Sequence, residues 1–270
     1  ASGSLTATDS DLSNTASISD ISVVASGIQE GLLSNAEALR TMLQVVPAEV
    51  LANDTTTSQF NWNFDSGSES FDYLAVGETL VLTYTLTLTD SFGEADTQDV
   101  VITITGTNDQ PEISAITQSA SLTEADGAAQ LTANGDITWS DRDSNGSVTL
   151  TPTYNGDIAW SAGDITQPLN ADQITALTSA GDGKAFSITG VGQDGWQYSA
   201  AQNLDFLRQG ETITFSFNVV ATDDASQANS DSTAQTVTIT VTGTNDRPEI
   251  SAITESTSLT EADDAAQLTA

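Results

Sequence analysis

Hydrophobic positions along the chain recur mostly at every second residue. Leu80, Leu82, Tyr84, Leu86 and Leu88 alternate with Thr83, Thr85, Thr87 and Thr89. Ile213, Phe215, Phe217 and Val219 alternate with Thr214, Ser216 and Asn218, and Val237, Ile239 and Val241 with Thr238, Thr240 and Thr242. A period of two with β-branched residues on the wet side predicts half-buried antiparallel strands. Gly, Asn and Asp turns separate these runs, which predicts an all-β fold built from Greek-key sandwiches of roughly seven strands each. The period changes in two places. Ser34-Asn35-Ala36-Glu37 has the S-x-x-E form of a capping box, and Leu39, Met42 and Leu43 follow at helical spacing. Asn170-Ala171-Asp172-Gln173, followed by Ile174 and Leu177, has the same character. Each predicts a short helix whose apolar face closes one end of a sandwich core.

The chain also repeats itself. Residues 105–124 read TGTNDQPEISAITQSASLTE and residues 242–261 read TGTNDRPEISAITESTSLTE, which places Gly106 and Gly243 137 positions apart. GETLVLTYTLTLTD (77–90) matches GETITFSFNVVATD (210–223), and ASGSLTATDSD (1–11) matches ANGDITWSDRD (133–143). A period this long means one domain per repeat. The expected division is 1–107, 108–244, and a third repeat beginning at 245–270. Unit one then lacks the counterpart of residues 110–132, its first strand region, while the tail 247–270 carries that stretch in surplus. The expectation is that the tail of one copy completes unit one of the next, head to tail. The chain does not begin with Met and reads as a piece of a longer protein.

Charge narrows the chemistry. Asp and Glu number 38 against 5 Lys and Arg, with no His and no Cys, for a formal net charge of -33. Disulfides, thiolate zinc sites, Ser-His-Asp triads and imidazole ligands are excluded. Nucleic acid and anionic membrane are disfavoured as partners, because both need cationic residues, and no apolar run is long enough to insert. A compact body this negative repels itself. With so few basic residues, a bound metal is the available neutraliser, and oxygen-only ligands favour calcium over magnesium.

The acids are placed rather than scattered. Asp9-x-Asp11 and Asp141-x-Asp143-x-Asn145-Gly146 each follow a strand, Asp90 and Asp223 end strands, and Asn108-Asp109 and Asn245-Asp246 precede prolines. Glu124 and Glu261 each lie 13 residues beyond their proline. Loops at strand ends can converge to supply the six to eight or so oxygens that calcium takes. Paired carboxylates could also hydrolyse glycosides, but these recur domain by domain rather than forming one pocket, so no enzyme is expected. Trp62 and Trp196 share a repeat position and read as core, whereas Trp160 has no aromatic counterpart and is the candidate for a ligand contact.

Leu-Thr-Ala-Thr-Asp9-Ser-Asp11 resembles the cadherin DxD motif, and Thr-Asn108-Asp109-Gln-Pro111-Glu-Ile113 resembles the cadherin linker DxNDNxPxF. FDYLAVGETLVLTYTLTLTD…VVITITGTNDQPEI looks like the VCBS-type, cadherin-like repeats of giant bacterial RTX adhesins. That resemblance, which spans essentially the whole chain, implies calcium at the junctions between repeats. Asp72, Asn108 and Asp109 would meet Asp141, Asp143, Asn145 and Asp223 at the first junction. Glu124, Asp205, Asn245 and Asp246 would form half of a second, with Glu261 belonging to the repeat beyond. Asp9, Asp11 and Asp90 would face an upstream domain. The linker's first Asp is Gly106 or Gly243 here, and the Asp-Arg-Glu motif is not intact, which implies fewer or weaker ions. The implied function is that of calcium-rigidified extender repeats of a secreted, cell-surface adhesin in biofilm formation. A glycan-binding or homophilic module, or a structural unit of an extracellular filament with head-to-tail strand donation, is the alternative.

Overall fold

In the computed structural model, residues 1–143, 146–225, 229–248 and 250 are described. Asn145, Glu261 and the tail beyond residue 250 lie outside the described residues. Residues 1–107 hold β1 (Ser2–Thr8), β2 (Ala16–Gly27), α1 (Ala36–Thr41), β3 (Leu43–Val46), β4 (Glu49–Leu51), β5 (Thr57–Phe64), β6 (Thr79–Asp90) and β7 (Ala95–Thr105). They form two facing sheets in the orders β1-β5-β3 and β4-β2-β6-β7. The following residues hold β8 (Glu112–Ile116), β9 (Ser119–Thr123), β10 (Gln130–Ser140), β11 (Val148–Tyr154), β12 (Ala159–Trp160), α2 (Ala171–Thr178), β13 (Phe186–Thr189), β14 (Gly195–Ala201), β15 (Thr212–Asp223) and β16 (Gln235–Thr242). Their sheets run β13-β14-β10-β8 and β11-β15-β16-β9. The fold is the expected tandem Greek-key β-sandwich. Among the described residues, every strand pairing stays within one of the two units.

Alternation builds the cores. On β6, Leu80, Leu82 and Tyr84 are fully buried while Val81 and Thr83 between them are half-exposed. On β15, Ile213, Phe215, Phe217, Val219 and Ala221 all point inward at 0% exposure. Phe186 stacks on Phe217 at 4.4 Å and on Trp196 at 5.2 Å, filling the centre of unit two with offset aromatic contacts. The two registers agree in detail. Gly3 faces Trp62 across β1–β5, and Gly135 faces Trp196 across β10–β14. A Cβ on Gly135 would stand 2.5 Å from the Trp196 ring, so glycine is what lets the indole lie flat across the strand.

Both helices close their cores. Leu39 and Leu177 are buried, and a buried tyrosine hydroxyl donates to each one's carbonyl, Tyr84 at 2.8 Å and Tyr198 at 3.0 Å. The α2 capping box forms as expected between Asn170 and Gln173. In α1 the cap is Asn35 rather than Ser34, because the Asn35 carboxamide accepts from Ala38 N–H while Ser34 donates to Glu69. Leu43, expected on the helix face, instead begins β3. No helix among the described residues is long and apolar enough to cross a membrane.

Candidate metal centre

Strand registers carry the acids to the two ends of unit two. At the end facing unit one, Val148 pairs with Asp223 and Ser140 with Glu112, so the loop after β10, the end of β15 and the linker before β8 converge. Asn108 and Asp143 are buried there, at 8% and 5% exposure. Asn108 Nδ2 donates to Asp223 Oδ2 at 2.8 Å, Asp109 N–H to Asp143 Oδ2 at 3.1 Å, and Asp143 N–H to Asp141 Oδ1 at 3.1 Å. The other oxygens, Asp141 Oδ2 and Asp143 Oδ1, are buried without a hydrogen-bond partner. Burial pushes the Asp143 carboxyl up to about 6, opposed by the Asp109 N–H and reinforced by the charges of Asp141, Asp109 and Asp223. Asp109 and Asp141 are raised mainly by burial as well. Asp72, across the junction, stands 3.9 Å from Arg142 in a largely exposed ion pair.

The opposite end is tighter. Parallel pairing of β9 with β16 sets Thr123 beside Thr242 and so brings Glu124 against the segment after β16. Glu124 is 3% exposed, and its Oε2 accepts from Thr244 N–H at 2.7 Å. Asp205 Oδ1 accepts from Gly127 N–H at 2.7 Å. One carboxylate oxygen each from Glu124, Asp205 and Asp246 lies within 4.8 Å of the others, and among the described residues this is the one acidic group so close. Glu124 Oε1 and Asp246 Oδ1 are again buried without partners. Burial raises the Asp246 carboxyl, and the neighbouring charges of Glu124, Asp205 and Asp126 add to it. Asn245 is exposed, its Nδ2 turned to the Asp246 carbonyl at 3.3 Å.

At the end of unit one away from unit two, Asp11 N–H donates to Asp9 Oδ1 at 2.9 Å, repeating the Asp141–Asp143 turn. Asp90 Oδ1 accepts from three N–H groups of its own turn. Asn14, absent from the sequence reading, supplies the amide to Asp90 at 3.3 Å that Asn108 supplies to Asp223. Asp126 was also missed, although its place two residues after Glu124 recurs in Glu261-Ala-Asp263. Gly106 and Gly243 explain the lost linker aspartate. A Cβ on Gly106 would lie 2.1 Å from the Leu74 carbonyl oxygen, and one on Gly243 2.6 Å from those of Leu207 and Arg208. Trp160 is half-buried, edge-on to Phe206 at 5.4 Å.

Fit to a cation rests on the donor set. Four buried carboxylate oxygens at two strand-end clusters have no proton donor, and hard oxygen ligands of this kind suit calcium. No family model matches the chain, and no curated protein matches it. Solved structures share its outline. Drosophila N-cadherin EC1-4 is 11% identical over 87% of this chain, with a TM-score of 0.35, and the chain spans 43% of that structure's length. A mutant of the enterotoxigenic E. coli CFA/I adhesin CfaE is 12% identical over 91% of this chain and 81% of its own, at 0.37. The sialic acid binding region of a Streptococcus sanguinis SK1 adhesin is 10% identical over 90% and 74%, at 0.28. At these values the likeness is one of β-sandwich architecture and carries no argument about chemistry.

Proposed function

We propose that the chain is a pair of calcium-stiffened extender repeats of a secreted bacterial surface adhesin, holding a distal binding domain away from the cell. The observation that carries this reading is the set of partnerless buried oxygens of Asp141, Asp143, Glu124 and Asp246 at the two ends of unit two. A carboxylate buried without a donor is costly, and a divalent cation removes that cost. In this reading Asn108, Asp109, Asp141, Asp143, Asn145 and Asp223, with Asp72 at the rim, hold calcium at the first junction. Glu124, Asp205, Asn245 and Asp246, joined by Asp126, hold it at the second, Glu261 serves the repeat beyond, and Asp9, Asp11 and Asp90 serve an upstream one. Binding to the ordered linker alone fixes the angle between units and stabilises them by RT ln(1 + [L]/Kd). The role is mechanical rather than catalytic.

Small-angle scattering and thermal melting, with calcium and then with chelator, test it. Calcium is expected to lengthen and narrow the particle's distance distribution and to raise the Tm. If neither quantity responds to calcium, the reading is wrong.

A further inference from the structure

The linker ahead of β8 is also held by unit two through groups that carry no charge. Asn229 Nδ2 donates to the Asn108 carbonyl at 2.6 Å, and Asn108 Nδ2 donates back to the Asn229 carbonyl at 3.4 Å. Two residues on, Gln110 Nε2 donates to the Asp231 carbonyl. The limb that supplies these partners is itself fixed to β15. Asp223 N–H donates to the Ser230 carbonyl at 2.9 Å, Ser232 N–H to the Ala221 carbonyl at 2.8 Å, and Ala221 N–H to Ser232 Oγ at 2.9 Å. Ser230 and Ser232 are both 7% exposed. Unit one has no such limb. Its turn between β6 and β7 is residues 91–94, closed on the Asp90 carboxylate, and four more residues separate Asp223 from Gly243 than separate Asp90 from Gly106.

We propose that Asn229 is a positioning residue: with the Asp231 carbonyl it clasps residues 108–110 onto unit two, with or without a bound cation. Bonds from a carboxamide to a carbonyl depend on neither protonation nor metal. The carboxylates gathered around the linker, Asp109, Asp141, Asp143 and Asp223, repel one another when no cation lies among them. The clasp holds Asn108 and Asp109 in place against that repulsion. On its other side the linker is tied to unit one at Gly106, whose N–H donates to the Glu78 carbonyl at 2.9 Å and whose carbonyl accepts from Gly77 N–H at 3.3 Å. A change of angle between the units is then taken up between Gly106 and Asn108, and the acids of the first junction travel with unit two. The consequence for affinity rests on the calcium reading, since a site already assembled does not lose the fraction of time spent unassembled. The clasp itself does not rest on it.

Residue-resolved hydrogen exchange on residues 1–270 in chelator tests the clasp. The reporter is the Asp109 amide, which donates to Asp143. It is expected to be protected in the parent chain. Asn229→Ala, and Gln110→Ala at an exposed position that the cores do not use, are each expected to speed its exchange roughly fivefold to tenfold, the factor that one net hydrogen bond carries. Amides of the β15–β16 ladder should keep their protection in both variants. In calorimetry with calcium chloride, both variants are expected to weaken one class of site by a similar factor and leave the other unchanged. Absence of calcium binding in the parent chain would remove the affinity consequence together with the calcium reading, while the exchange comparison decides the clasp alone. An Asp109 amide that exchanges equally fast in the parent and both variants, or ladder amides that open together with it, would overturn the clasp.

Discussion

Asp143 concentrates the electrostatic problem in one side chain. It is 5% exposed, one oxygen lacks a donor, and burial holds its carboxyl near 6. Because that folded value lies above the ordinary one, its contribution to stability is full below about 4 and is lost as pH rises through about 6. Asp143→Asn is therefore expected to raise the Tm in chelator at pH 7, by the equivalent of roughly 1–2 kcal/mol, while shrinking the calcium-induced shift. A calcium-independent Tm loss instead would show that the carboxylate is purely structural. Gly243 makes the opposite kind of prediction. Gly243→Asp restores a linker acid on paper, but carbonyl oxygens already occupy the space. It is expected to destabilise by about 1–3 kcal/mol without tightening calcium binding, as read by denaturation and calorimetry. The presence of these acids at strand ends was legible from the sequence. Which of their oxygens would lack a donor was not, since that depends on the neighbouring N–H groups after folding.

Elements were legible where their period is long and clean. β6, β15 and β16 appear as their alternation predicts, because one face of each must be dry. The short strands β3, β4 and β13 were not legible, since three or four residues hold too little period and tertiary pairing decides them. The start of α1 shifted by one residue because Ser34 and Asn35 both suit a cap, and Glu69, remote in sequence, claims Ser34. Parallel pairing of β9 was also invisible, although it is what delivers Glu124 to its cluster. The repeated glycine–tryptophan contact gives an element-scale test. Gly135→Ala is expected to cost about 1–3 kcal/mol, because Trp196 is fully enclosed. Gly3→Ala should cost less, because Trp62 is half-exposed and can shift. Equal losses in urea denaturation would show that Trp62 is held as rigidly as Trp196.

Across the whole molecule, a net charge of -33 means that the proposed calcium binding and pH should act as linked variables. If calcium binds as proposed, protonation and calcium relieve the same buried carboxylates, and the Tm gain from calcium should be largest near pH 7. It should fall as pH drops through about 6, the value to which burial lifts Asp143. At calcium a hundredfold above Kd the expected gain is about 2.7 kcal/mol per site, several degrees of Tm for units of this size. A calcium-dependent gain that is flat from pH 5 to 8 in calorimetry would separate the two effects and remove Asp143 from the ion-binding set.

The sequence by itself determined the class and order of the molecule. Period-two alternation dictates strands, the 137-residue repeat points to two like units, and the lack of His and Cys leaves oxygen as the ligand atom for any metal. Only the tertiary structure decided which acids meet. The family resemblance favoured the first junction, yet among the described residues the three carboxylates that come within 4.8 Å of one another are Glu124, Asp205 and Asp246 at the far end, spread along the chain from position 124 to 246. Their approach is set by strand register and by which sheet edge β9 joins. Those are properties of pairing between distant segments, and no local pattern encodes them.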